Sequence, residues 1–216
     1  MVEKKISIPL IYHVTGRPET DEDAEGLRLA LLRESHLNGN FRGVLASCGY
    51  SSVTRNLKGA MGGFLNRVNG LCGLNVSAII DDSDYLDGVS ISLLAGLVEN
   101  ALRGANLAGI LSVSGEVSGL TYATLVNINR DLHGEGIGAV CIAGELTGLS
   151  LGAYNYAETN GRIAVQVGLI NRVADYDPDG AVIQFGGYNT IGNRACLGVN
   201  FKGLEKLVKK ESKPSA

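Results

Sequence analysis

An all-β repeat fold, a β-solenoid of about twelve coils of ~15 residues, is predicted from three features of the sequence. A phrase of apolar residue, any residue, glycine recurs at nearly constant spacing. One column counted from those glycines is always small. The apolar residues between them alternate and then shift phase, which is a strand broken by a bend.

The phrase reads Phe41-Arg42-Gly43, Leu57-Lys58-Gly59, Leu71-Cys72-Gly73, Leu86-Asp87-Gly88, Leu102-Arg103-Gly104, Val117-Ser118-Gly119, Leu132-His133-Gly134 and Leu146-Thr147-Gly148. The steps between glycines are 16, 14, 15, 16, 15, 15 and 14, and Gly26 fits one step earlier. Four places after each glycine stand Ala30, Ser47, Gly63, Ser77, Ser92, Ala108, Ala123, Gly138 and Gly152. Three further units align on this small column: Val165 to Asn171, Ile183 to Asn189, and a degraded Ala195 to Gly198.

A small residue where the alternation changes phase indicates a close backbone approach. Asn66, Asn127, Asn155, Asn171 and Asn189 follow the strand, where turns begin, and their amides can bond the local backbone or sit at positive φ. Stacked coils, about 4.8 Å apart, would make a rod of roughly 55–60 Å. The same units admit an antiparallel meander or barrel, but a barrel needs long strands of unbroken alternation.

Three regions are expected: residues 1–19 as a leading strand and cap, 20–201 as the repeat domain, and 202–216 as a basic C-terminal tail. Lys5 to Val14 reads as a strand. Ala24 to His36 fits either a helical cap or a first repeat, since Leu27, Leu31 and Leu32 suit a helical face. A cap is needed because an open coil end exposes unpaired strand edges.

Composition excludes several classes. Glycine is 30 of 216 residues, aromatics are 6%, and there is no Trp. The net charge of −3 leaves no basic field for nucleic acid. No apolar run is long enough for a membrane-spanning helix. Cys48, Cys72, Cys141 and Cys196 form no CxxC pair and are expected as buried, reduced thiols. With no signal peptide visible, a cytoplasmic location is expected, with the cell surface as the alternative.

Candidate chemistry is sparse. Asp175-Tyr176-Asp177-Pro178-Asp179-Gly180 has the D-x-D-x-D-G spacing that opens a calcium loop, so Asp175, Asp177 and Asp179 are the candidate metal ligands. The closing Glu is replaced by Gly186, which also suits a plain acidic turn. No cofactor is expected apart from calcium at this loop. His13, His36 and His133 are scattered, and neither a nucleophile elbow nor a phosphate loop is present.

The units Val165-Gln166-Val167-Gly168-Leu169-Ile170-Asn171 and Leu149-Ser150-Leu151-Gly152-Ala153-Tyr154-Asn155 resemble those of uncharacterised bacterial surface-repeat proteins, with a phrase close to G-x-Q-x-G-L-x-N. The resemblance is loose over residues 41–201 and best over 146–190. It implies a repeat fold and brings no activity or catalytic residues with it. The expected function is a non-catalytic structural or interaction scaffold that binds a protein partner or self-associates, with oligomers compatible. The alternatives are a membrane-associated or surface β-barrel, and a ligand-binding protein or enzyme whose site gathers distant residues.

Overall fold

The computed structural model describes residues 10–13, 24–30 and 35–204. Its strands are β1 (Leu10–His13), β2 (Ala24–Ala30), β3 (Ser35–Leu37), β4 (Phe41–Ser47), β5 (Tyr50–Ser92), β6 (Ala95–Ala108), β7 (Leu111–Ala123), β8 (Val126–Ile137), β9 (Val140–Leu151), β10 (Tyr154–Asp175), β11 (Ala181–Ile191) and β12 (Arg194–Lys202). The strands pair in parallel in the order β1, β2, β4 and then on to β11, with β3 pairing β5, each at one repeat's offset, as in Gly26 on Gly43, Gly88 on Gly104 and Gly134 on Gly148. The chain is a β-solenoid of about ten turns.

One coil shows how the sequence makes three sides. From Gly88, the inward residues are Ser90, Ser92, Gly96, Val98 and Leu102, all buried. Side one is Val89–Ser92, side two is Ala95–Val98 and side three is Ala101–Arg103. The corners fall at Leu93-Leu94, at Glu99-Asn100, where the register shifts, and at Gly104. Alternation holds within a side and breaks at each corner, which accounts for the phase shift in every unit.

The recurring glycine is a corner that must remain glycine. Gly59 has φ +137°, and a Cβ on it would lie 2.0 Å from the carbonyl oxygen of Gly43 one coil away. The same contact repeats along the ladder to Gly148. Two residues before each glycine, Phe41, Leu57, Leu71, Leu86, Leu102, Val117, Leu132 and Leu146 stack in a buried apolar column. Each contributes about 1.5–3 kcal/mol by burial. A second column runs through Leu37, Val53, Val68 and Val98 to Ala143, Ala157, Val173 and Ile191.

Several expectations need correction. Ala24–Ala30 is strand β2, in register with β4, so the first-repeat reading holds there and the helical cap does not; residues 31–34 lie outside the described set. Propensity for a leucine-rich helical face yields to the backbone pairing that the Gly26 corner continues. The expected strand Lys5 to Val14 contains β1, and the rest of residues 1–19 lies outside the described residues, as does most of the tail. The unit Ala195 to Gly198 is no coil. It belongs to β12, which runs antiparallel to β11 with Gly186 facing Gly198 and Ile183 facing Phe201. A returning strand lowers the count below twelve and closes the C-terminal edge of the parallel stack.

Candidate functional site

Side one carries the most distinctive surface. Its outward columns are in register along the stack, for instance Val89, Ala105, Leu120, Glu135, Leu149, Val165, Ile183 and Phe201, and Ile91, Leu107, Tyr122, Ile137 and Leu151. Val44, Leu74, Val76, Val167, Phe185 and Val199 extend them, and side chains such as Phe185 (45%) and Phe201 (55%) are well exposed. Glu135 is the only charged residue in these two columns from Val44 to Phe201.

Side two has one outward column that is apolar from Ile80 through Ala95, Leu111, Val126, Val140, Tyr154 and Ile170 to Tyr188, and a second that is apolar only in its middle. Leu97, Val113, Ile128, Ile142 and Tyr156 share the second column and are half-buried. Toward the N-terminus it carries the Arg67–Asp82 ion pair at 3.5 Å, and at the other end Arg172, whose guanidinium lies 5.9 Å from the Tyr156 ring. Side three is polar, with Lys58, Asp87, Arg103, Glu116, Asp131, His133 and Glu145. Arg130 bridges Glu116 at 3.2 Å and Asp131 at 3.3 Å beside it. A groove of about 370 Å³ lies there, lined by Asn56, Lys58, Gly70, Cys72, Tyr85 and Arg103 among others.

The interior is polar where the sequence is asparagine-rich. Asn155 donates to the carbonyls of Gly152 (3.1 Å) and Val167 (2.9 Å) and to Asn171 Oδ1 (2.7 Å). Asn171 donates to the Phe185 carbonyl (2.9 Å) and to Asn189 Oδ1 (2.7 Å). These asparagines bond the local backbone as expected, but from inside the coil. Among the described residues only glycines have positive φ. A glutamine rung lies beside them, with Gln184 Nε2 donating to Gln166 Oε1 at 2.8 Å.

Asp81 occupies the same column as Asn66 and Asn127 and is fully buried. Its carboxylate accepts hydrogen bonds from Asn75 and Ser90, and Asn66 donates to Asn75 Oδ1 at 2.6 Å. Burial, helped by the neighbouring Asp82 charge, pushes its carboxyl up to about 6, although the Ser90 and Asn75 bonds pull the other way. This network is enclosed, so it offers no access to a substrate.

The candidate calcium ligands sit at the end of β10 and in the turn that follows. Asp175, Asp177 and Asp179 are all exposed. The Asp177 carboxylate accepts the Asp179 N–H at 2.9 Å, while the Asp177 N–H donates to buried Asn160 Oδ1 at 2.9 Å. Among the described residues, no three His, Cys, Asp or Glu side chains gather closely enough to hold a metal ion. His13 and His36 lie in β1 and β3, and His133 is exposed on side three.

The cysteine expectation of burial holds for one residue of the four, and Cys196 is half-buried. Cys48 and Cys72 are exposed, because they occupy a corner and an outward position, and only Cys141 is buried, in the asparagine column. Burial pushes its thiol up. Sequence reading missed side one as a surface. Its signal was available: the positions one and three after each glycine are almost uniformly apolar, but alternation alone does not say which phase faces inward.

Among the described residues no helix is long and apolar enough to cross a membrane. The fold and its outward columns define a β-solenoid repeat protein with one apolar side and one charged side. No protein-family model matches the chain, and no curated protein or solved structure matches it significantly.

Proposed function

We propose that this chain is a non-catalytic interaction scaffold that assembles through protein–protein contacts, self-association among them. The observation that carries the reading is the apolar ladder on side one, interrupted by charge only at Glu135. About ten steps of 4.8 Å by a four-residue strand of about 13 Å gives roughly 620 Å². Monomeric proteins rarely leave a contiguous apolar patch larger than about 300–600 Å² in water. The regular stack supports the same reading, because a solenoid offers extended flat sides rather than a deep cleft.

The test is light scattering with small-angle X-ray scattering on detergent-free protein. Discrete oligomers, or a complex with a co-purifying protein, support the scaffold. A monodisperse monomer with no protein partner over the accessible concentration range would sink it. A second reading, association with a lipid surface, draws on the same ladder and on the surface-repeat resemblance. Flotation with phosphatidylcholine vesicles would favour it.

A further inference from the structure

We infer that side one is the surface on which a second copy of this chain docks, the two apolar ladders packing face to face. The inference rests on the self-association reading above and names its surface and its partner.

Three observations support a second copy. The first is period. The outward residues of side one form ridges one strand spacing apart, about 4.8 Å, along the whole stack from Val44 to Phe201. A surface complementary to such a corrugation must carry the same spacing over the same length, and another copy does so in every coil. Two sheets packed in this way sit about 10 Å apart, with the side chains of Ile91, Tyr122, Val167 and Phe185 interdigitating.

The second is area. Roughly 620 Å² per subunit gives about 1,250 Å² for the pair, which falls within the range of standard specific interfaces.

The third is contrast with the other sides. On side two the outward column from Ile80 to Tyr188 is apolar, but its neighbour is apolar only from Leu97 to Tyr156 and ends at Arg67–Asp82 and at Arg172. Side three carries opposite charges closely interspersed, as at Arg130 with Glu116 and Asp131. Neither offers two adjacent apolar columns of comparable length.

Glu135 is the exception that makes the proposal specific. Its carboxylate stands in the apolar column between Leu120 and Leu149. Docking would desolvate it, so it weakens the pair. Its removal should therefore tighten association, which a merely structural surface residue would not do.

The experiment is sedimentation equilibrium on the full chain and four variants, with circular dichroism as the check on folding. The wild type is expected to dimerise. Ile91→Lys and Tyr122→Lys, both exposed and outward, should weaken the dimer at least about 100-fold. Glu135→Leu should strengthen it several-fold, and Leu97→Lys on side two should leave it unchanged. If a lysine variant fails to fold, hydroxyl-radical footprinting of the wild type replaces it, and Tyr122 and Phe185 must gain protection as concentration rises. Oligomers that ignore the side-one variants, or that dissociate with Leu97→Lys, overturn this assignment and leave the scaffold reading standing. A wild type that remains monomeric overturns the second copy, and one that also has no co-purifying protein partner overturns both. A monomer that floats with phosphatidylcholine vesicles and loses this with Tyr122→Lys assigns side one to lipid and overturns the second copy.

Discussion

Asn155 stands directly over Asn171 inside the stack and donates its amide hydrogen to Asn171 Oδ1 at 2.7 Å. Asn171 repeats the contact to Asn189, and each amide also holds corner carbonyls of its own and the next coil. Asn171 therefore joins three coils. Asn171→Ala removes both ladder bonds and the side-chain donor to the part-buried Phe185 carbonyl. The expected cost is about 3–4 kcal/mol, read as a lower midpoint in urea unfolding. A midpoint shift below a quarter of that would show that the ladder contributes little.

The corner glycines and the outward glycines should respond in opposite ways. At Gly104, φ is +124° and an added Cβ would lie 2.0 Å from the Gly88 carbonyl oxygen. Gly104→Ala is expected to cost at least about 3 kcal/mol, through strain and forced separation of two coils. Gly62 points outward on side one, and the nearest atom to an added Cβ there is 4.0 Å away. Gly62→Ala should be neutral or stabilise by a few tenths of a kcal/mol, because it restricts the unfolded chain. Thermal unfolding of the two variants beside the wild type checks the contrast.

Asp81 gives the molecule a pH dependence with a definite sign. Its folded value, about 6, lies above the ordinary 3.8, so the folded state holds the proton more tightly than the unfolded chain. The stability it contributes is fully present below about pH 4 and is lost as the pH rises through about 6, on the order of 3 kcal/mol in all. Asp81→Asn should be more stable than the wild type at pH 7.5 and close to it at pH 4. The amide fits the site, since Asn66 and Asn127 occupy the same column in other coils. Urea denaturation at the two pH values would measure both arms. Equal effects of the substitution at pH 4 and 7.5 would count against the buried carboxylate as the titrating group.

The coil period was legible because a backbone constraint wrote it. Only glycine fits where Gly59 meets Gly43, so the step survives in the sequence even where the side chains around it drift. The inward or outward sense of each column was harder to read. Leu45 and Met61 are buried at a position that Asn75, Asn106 and Gln166 fill in later coils, so polarity does not mark the interior. Val89 and Ile91 look like core residues and face out. Cys72 was expected to be buried because cysteine usually is, yet it neighbours the corner glycine on side three, beside Lys58 and Arg103 in the groove there. The returning β12 was hidden for another reason. Ala195 to Gly198 shares the small column's glycine, and a composition match carries no information about strand direction.

Two buried serines separate the cost of a polar core from its benefit. Ser150 Oγ donates to Asn155 Oδ1 at 2.9 Å and so supports the asparagine ladder. Ser114 stands in the column between Val98 and Asn129, and its buried hydroxyl has no hydrogen-bond partner among the described residues. Removing a bonded hydroxyl leaves its partner short, whereas removing an unbonded one relieves a desolvation cost. Ser150→Ala should therefore destabilise by about 1–2 kcal/mol, and Ser114→Ala should be neutral or stabilise by up to about 1 kcal/mol. The two substitutions delete the same atom, so differences in the unfolded state largely cancel when their urea midpoints are compared. A loss of stability in Ser114→Ala as large as in Ser150→Ala would mean that the Ser114 hydroxyl is satisfied in solution and that this part of the core is wet.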